Sequence, residues 1–279
     1  MKDKRWARLA AALYVAAALL AVPKAAAQDG GVRVVLNGQE LQFDTSAVLR
    51  NGAAYVPLRA FAEAVSPAEV GWDAGQRAAV VRAPGLNLEV REGREYMLAN
   101  DRCFYLPGAA LKKDGRLLLP VRALSAVYGL EVEWSAASRT VFLQGAGKPL
   151  VSGGQVYDAE ALYWLARIIH AESQGEPLAG KIAVGNVVLN RVRSADFPET
   201  VYRVIFDRRN GVQFTPTADG SIYNTPGEDS VMAAKMCFEG AAAVPAGCLY
   251  FLNADIAASL WVPQNRPYVT AIGGHQFYA

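Results

Sequence analysis

The sequence predicts an α+β protein in two parts: a small, β-rich N-terminal domain made from a repeated unit, then a mainly helical C-terminal domain. Three observations carry this. A unit recurs at an offset of about 62 residues between residues 32 and 144. Further on, apolar residues recur at Leu162, Leu165, Ile168 and Ile169, the spacing of one helix face. A length of 279 residues, 52% hydrophobic and 19% charged, suffices for two cores.

The first residues, MKDKRWAR, are basic on balance, and a run of fourteen mostly apolar residues follows from Leu9 to Val22. A comfortable bilayer span takes about 20 residues, and Ala25-Ala26-Ala27 offers an A-x-A cleavage site before Gln28. Residues 1–27 therefore read as a signal peptide, with an uncleaved N-terminal anchor as the alternative. In either case the rest of the chain lies outside the membrane. No cysteine sits near the cleavage site, which argues against a lipid anchor. Lys2, Lys4, Arg5, Arg8 and Lys24 fall in this segment, against Asp3 alone. Without it, 23 basic and 25 acidic side chains remain. That balance provides no surplus of cations to hold nucleic acid by its phosphates.

The repeat occupies the N-terminal domain, residues 28–144. NGAAYVPLRAFAEAV (Asn51 to Val65) is echoed by DGRLLLPVRALSAVYG (Asp114 to Gly129), and VGWDAGQRAAVV (Val70 to Val81) by VEWSAASRTVFL (Val132 to Leu143). Each copy reads as turn, apolar strand, proline, short amphipathic helix, then a Trp strand, a tight turn and another strand. As matched members of a repeat, Trp72 and Trp134 are expected in the core. This repeat resembles the small N-terminal domain first named from copper amine oxidases. The resemblance implies a wall-targeting or spacing module, or one serving stability or dimerisation. It implies no copper, since the segment has no histidine and one cysteine. Residues 145–155, rich in Gly and Pro and without periodicity, read as a linker. Their GAGK lacks the phosphate-loop spacing.

Residues 156–279 form the second domain. Asp158 is a plausible N-cap for a helix running to about Ser173, and Pro177 opens a second through Val192. Gly185 within it suggests close helix contact. A third helix starts near Pro198, a polar loop spans Asp207 to Asp229, and a fourth helix covers about Glu228 to Glu239. Leu249 to Asn253 reads as a strand, followed by an aromatic, polar tail. Glu172 continues the apolar stripe of the first helix. A carboxylate there either meets a cation such as Arg191 or has its pKa raised and works as a proton donor.

Cys103, Cys237 and Cys248, with His170 and His275 as the two histidines, match no zinc spacing, so neither metal nor cofactor is expected. Cys237 and Cys248 are near enough in sequence to pair, and isolated buried thiols are the alternative.

The blocks ARIIHAESQGEPLAGKIAVGNVVLNRV, FPETVYRVIF, QFTPTADGSIYNTP, CLYFLNAD and IGGHQFY, in this order, resemble the cell-wall hydrolase family that includes the spore-cortex lytic enzymes (SleB/CwlJ type). The resemblance implies a lysozyme-like, lytic-transglycosylase-like catalytic domain. Peptidoglycan glycan strands would be the partner, in a secreted or cell-wall-associated setting, vegetative or spore. The family's catalytic glutamate falls on Glu172; Ser173 and Gln174 stand where relatives often carry Ala and Arg. One glutamate is enough for a transglycosylase, because the C6 hydroxyl of muramic acid itself attacks. Glu176, Gln213, Phe214, Tyr250, Asn253 and His275 are the expected substrate contacts. A true muramidase or glucosaminidase would need a second carboxylate, for which Asp219 and Glu228 are the candidates. A non-catalytic wall-binding protein is the remaining alternative. A cysteine–histidine peptidase is disfavoured, since Cys237 lies near a helix end with no supporting motif.

Overall fold

Each repeat turns on a proline. Strand Ala53–Pro57 runs directly into helix α1 (Leu58–Val65), and strand Arg116–Pro120 into α2 (Val121–Tyr128). A proline is tolerated at a helix start, where the first amides have no helical acceptor to lose. The two proline strands then pair with one another, antiparallel, Leu118 opposite Pro57 and Pro120 opposite Tyr55. Arg33–Leu36 lies parallel to Thr140–Gln144, so the first strand closes onto the last strand of the second copy. The repeats are interlocked, and one apolar core holds Phe61, Leu88, Leu119, Leu124 and Leu143 together. These are features of the computed structural model, which describes residues 31–209, 211–253 and 261–279. The signal-peptide reading of residues 1–27 lies outside them.

A five-stranded antiparallel sheet runs in order from Glu69–Asp73, through Ala78–Ala83, Leu86–Arg91 and Tyr96–Ala99, to Arg102–Tyr105. At its edge Trp72 departs from expectation. Trp134 rests on the core, whereas Trp72 is 51% exposed, with Lys112 Nζ 5.8 Å from its ring. Across the ladder Trp134 faces Val141 but Trp72 faces the smaller Ala79, so less apolar surface covers it.

The stretch 145–155 is fastened to the repeat domain along its length. Asn37 brackets Gly145 with two hydrogen bonds, Lys148 N donates to the Tyr128 carbonyl, and Gly153 N to the Asn100 carbonyl. It ends in the short helix α3 (Gly153–Val156).

The second part is helical: α4 (Ala159–Ser173), α5 (Leu178–Arg193), α6 (Val201–Ile205), α7 (Pro216–Asp219), α8 (Glu228–Phe238) and α9 (Trp261–Asn265). Asp158 caps α4 by accepting from Ala161 N at 2.7 Å. α5 is buried on nearly every side. At Gly185 it meets both neighbours: a Cβ there would stand 2.6 Å from Cys237 Sγ and 2.9 Å from Ile169 Cδ1. The aromatic tail folds into two strands, Tyr268–Ile272 and His275–Tyr278, that pair with each other; the second also pairs with Tyr250–Asn253. Cys103, Cys237 and Cys248 are free and buried, so the isolated-thiol alternative holds.

The two parts share a core. Tyr96 and Cys103, on the five-stranded sheet, belong to one apolar cluster with Leu165, Ile169 and Met236. Beside it Arg102 Nε donates to Glu239 Oε1 at 2.7 Å, and the Tyr157 hydroxyl donates to the same oxygen at 2.6 Å.

Candidate active site

The apolar stripe of α4 brings Glu172 to the last turn of that helix, at the wall of a cleft of about 650 Å³. Burial is the main influence on its carboxyl, since water no longer solvates the charged form. The negative Asp219 adds to it and the positive Arg191 opposes it, and the result is a pKa pushed up to about 7. Among the described residues Glu172 accepts no hydrogen bond and makes no ion pair within 4.0 Å.

α7 and the turn after it also line the cleft. Asp219 lines the cleft with Thr215 and Ser221. Its carboxylate accepts from Ser221 N at 2.8 Å, and hydrogen bonding from Ser221 holds its pKa below the usual range. The cleft thus holds one carboxyl that stays protonated near neutral pH and one that stays ionised. Different surroundings separate the two.

The remaining expected residues fall in three groups. Glu176, Gln213, Phe214, Asn253 and His275 all line the cleft. Glu176 and His275 also hold the hairpin in place. Glu176 Oε2 accepts from Gly274 N at 3.0 Å, and Oε1 stands 3.6 Å from His275 Nδ1. Burial keeps His275 below its ordinary pKa, against the pull of Glu176, so the imidazole is neutral at pH 7. Phe214 is only 3% exposed and forms floor, its ring 6.2 Å from that of Phe251. Tyr250 does not line the cleft; its ring lies against Arg191, Arg266 and Trp261. Three consecutive residues of this strand, Phe251, Leu252 and Asn253, line the cleft, and the sequence reading singled out Asn253 of them. Of the two candidates for a second carboxylate, Asp219 lines the cleft and Glu228, at the start of α8, does not.

This architecture corresponds to known domains in both parts. Residues 35–143 match the model of the Copper amine oxidase N-terminal domain, and residues 175–278 that of the Cell Wall Hydrolase family. The chain therefore combines a copper-amine-oxidase-type N-terminal domain with a cell wall hydrolase domain. The second match begins at Gly175, three residues after Glu172. The first domain offers no fit for copper: residues 35–143 contain no histidine, and burial pushes the Cys103 thiol upward.

Among individual proteins, the spore cortex-lytic enzyme of Bacillus cereus is 43% identical over 122 residues, which are 43% of this chain and 45% of that enzyme. The spore cortex-lytic enzyme of Oceanobacillus iheyensis is 39% identical over 132 residues, 47% of this chain and 46% of that enzyme. The chain thus spans less than half the length of these relatives. The solved catalytic domain of the germination-specific lytic transglycosylase SleB from Bacillus anthracis is 40% identical. It is covered in full by 46% of this chain, with a TM-score of 0.41.

Proposed function

We propose that this protein cleaves peptidoglycan glycan strands as a lytic transglycosylase, with Glu172 as the single acid and base. The observation that carries this is a carboxyl at the wall of a large cleft, protonated to about pH 7 and free of competing hydrogen bonds from the described residues. In the first step Glu172 gives its proton to the leaving glycosidic oxygen. The C6 hydroxyl of the muramic residue then attacks C1, closing a 1,6-anhydro ring, and its proton returns to Glu172. No water is consumed and the enzyme ends as it began. Gln213 and Asn253 supply hydrogen-bonding groups to the sugars. Phe214 and Phe251 form an apolar floor, and Glu176 and His275 fix the far wall. The names of the relatives support wall or spore cortex as the setting, and the signal-peptide reading supports an extracytoplasmic location.

A second reading has its own support. Asp219 is an ionised carboxylate in the same cleft, which is what a hydrolase would need to activate water or trap a glycosyl intermediate. Mass spectrometry of the products released from purified peptidoglycan separates the two. Products ending in 1,6-anhydro-muramic acid support the transglycosylase. Reducing ends, heavier by one water, assign hydrolysis with Asp219 as second carboxylate. If wall is bound with no release of fragments, both enzymatic readings fail and a wall-binding protein remains.

A further inference from the structure

Arg191 is a buried cation with unfinished bonding. It lies in the last turn of α5, only 5% exposed. Burying a guanidinium costs several kcal/mol unless its donors are matched. Nε donates to the Leu249 carbonyl at 2.8 Å. The rings of Phe197, Phe214 and Tyr250 surround the group, with centroids 4.9, 5.2 and 5.4 Å from Cζ. These contacts offset part of the cost and fix its plane. Nη1, fully enclosed, has no hydrogen-bond partner among the described residues. Arg191 lines the same cleft as Glu172, whose own oxygens have no partner among the described residues.

We propose that Arg191 is a positioning residue that receives the Glu172 carboxylate whenever it has given up its proton: Nη1–H becomes the donor to a carboxylate oxygen, and releases it when the proton returns. The inference rests on Glu172 being the acid. A neutral carboxyl needs no cation, which accounts for its having no resting ion pair among the described residues. Once Glu172 has protonated the leaving oxygen, an anion is left in an enclosed site. The charged groups around it otherwise offer it little. Asp219, on α7, repels it. Glu176, in the turn after α4, is held by Gly274. His275, on the hairpin, and His170, on α4 itself, are kept neutral by burial. Lys181, on α5, is bonded to the carbonyls of Gln174 and Glu176. Asp207, beyond α6, is paired with Arg209. Among the described residues, Arg191 is the cation whose charge bears on the Glu172 carboxyl, and its Nη1 has a donor to give. A fixed receiver also explains how one glutamate serves twice, since it returns the same oxygen to the same place for the second proton transfer.

The test reads the pair itself in the full chain. With 13C in glutamate carboxyls and 15N in arginine side chains, the Glu172 signal is assigned by its loss in Glu172→Gln. In the wild type, the Arg191 Nη signals should shift with the Glu172 midpoint and stay flat with pH in Glu172→Gln. Arg191 signals that ignore that midpoint in the wild type overturn the proposal without any variant having to fold. Arg191→Met should raise the Glu172 midpoint by about 1–2 pH units. It should lower kcat by on the order of 100-fold with little change in KM, and move the alkaline limb of the pH–rate profile up in step. Arg191→Lys should hold the midpoint near its wild-type position. An unmoved midpoint in a folded Arg191→Met variant assigns the residue to scaffolding alone. If instead the coupling is seen but Glu172→Gln still cleaves glycan, it is the assignment of Glu172 that fails.

Discussion

At the residue scale, the behaviour of the protein with pH should follow Glu172. Its carboxyl titrates at about 4.5 when solvated and about 7 in the fold. Folding therefore favours the protonated form. The associated stability is fully present below pH 4.5 and is lost as pH rises to 7; above that, the buried anion costs about 3 kcal/mol. Glu172→Gln removes the titration while keeping the shape. Thermal unfolding should show the variant and wild type alike at pH 4, and the variant the more stable at pH 8. The same substitution should abolish glycan cleavage, scored by release of soluble muropeptides; full activity would end the assignment. Because the acid must be protonated, wild-type kcat/KM should fall as pH rises through about 7, visible in initial rates from pH 5 to 9.

Two glycines set the geometry at the scale of elements. Gly185 lets α5 touch α4 and α8 at once, and a methyl group there would overlap Cys237 Sγ and Ile169 Cδ1. Gly185→Ala should cost about 1–3 kcal/mol, because a full core does not yield without shifting side chains. Urea denaturation measures it directly. Gly273 sits at the hairpin turn with φ of +59°, and a Cβ there would stand 1.7 Å from Glu176 Oε2. Gly273→Ala is both strained and obstructed. It should break the bond from Gly274 N to Glu176, displace His275 from the cleft wall, and reduce glycan cleavage more than it reduces the melting temperature. An activity loss no larger than the stability loss explains would contradict the role given to this turn.

For the whole molecule the decisive feature is that the repeat domain and the helical domain are joined by a common core and a buried ion pair. Arg102 and Glu239 are 18% and 6% exposed at their side chains. Removing the cation strands the carboxylate beside Tyr157, so Arg102→Ala should cost about 3 kcal/mol. The double variant with Glu239→Ala should cost less than the sum of the two singles. A double-mutant cycle by chemical denaturation checks this, and strict additivity would show that the pair does not couple the halves. A single unfolding transition is the corresponding expectation for the whole chain.

Local pattern determined a great deal: the repeat, the proline-started helices, the cap at Asp158, the α4 stripe that ends in Glu172, and the tight approach at Gly185. These are legible because helix and strand periods, caps and small residues leave marks within a few residues of each other. Motif resemblance carried the site further, to Gln213, Asn253 and His275 in one cleft. What remained belonged to contacts between segments distant in sequence. Trp72 was covered or bare according to the residue facing it across a ladder, Ala79. The stretch 145–155 was tied down through its backbone groups, by partners as distant in sequence as the Asn37 and Asn100 side chains. Tyr250 turned behind Arg191 because a strand sets its own face only once it is paired. Above all, whether Glu172 met a cation or stood protonated depended first on how far the fold buries it, and then on where Asp219 and Arg191 are brought relative to it. No stretch of sequence contains both, so only the folded chain could decide it.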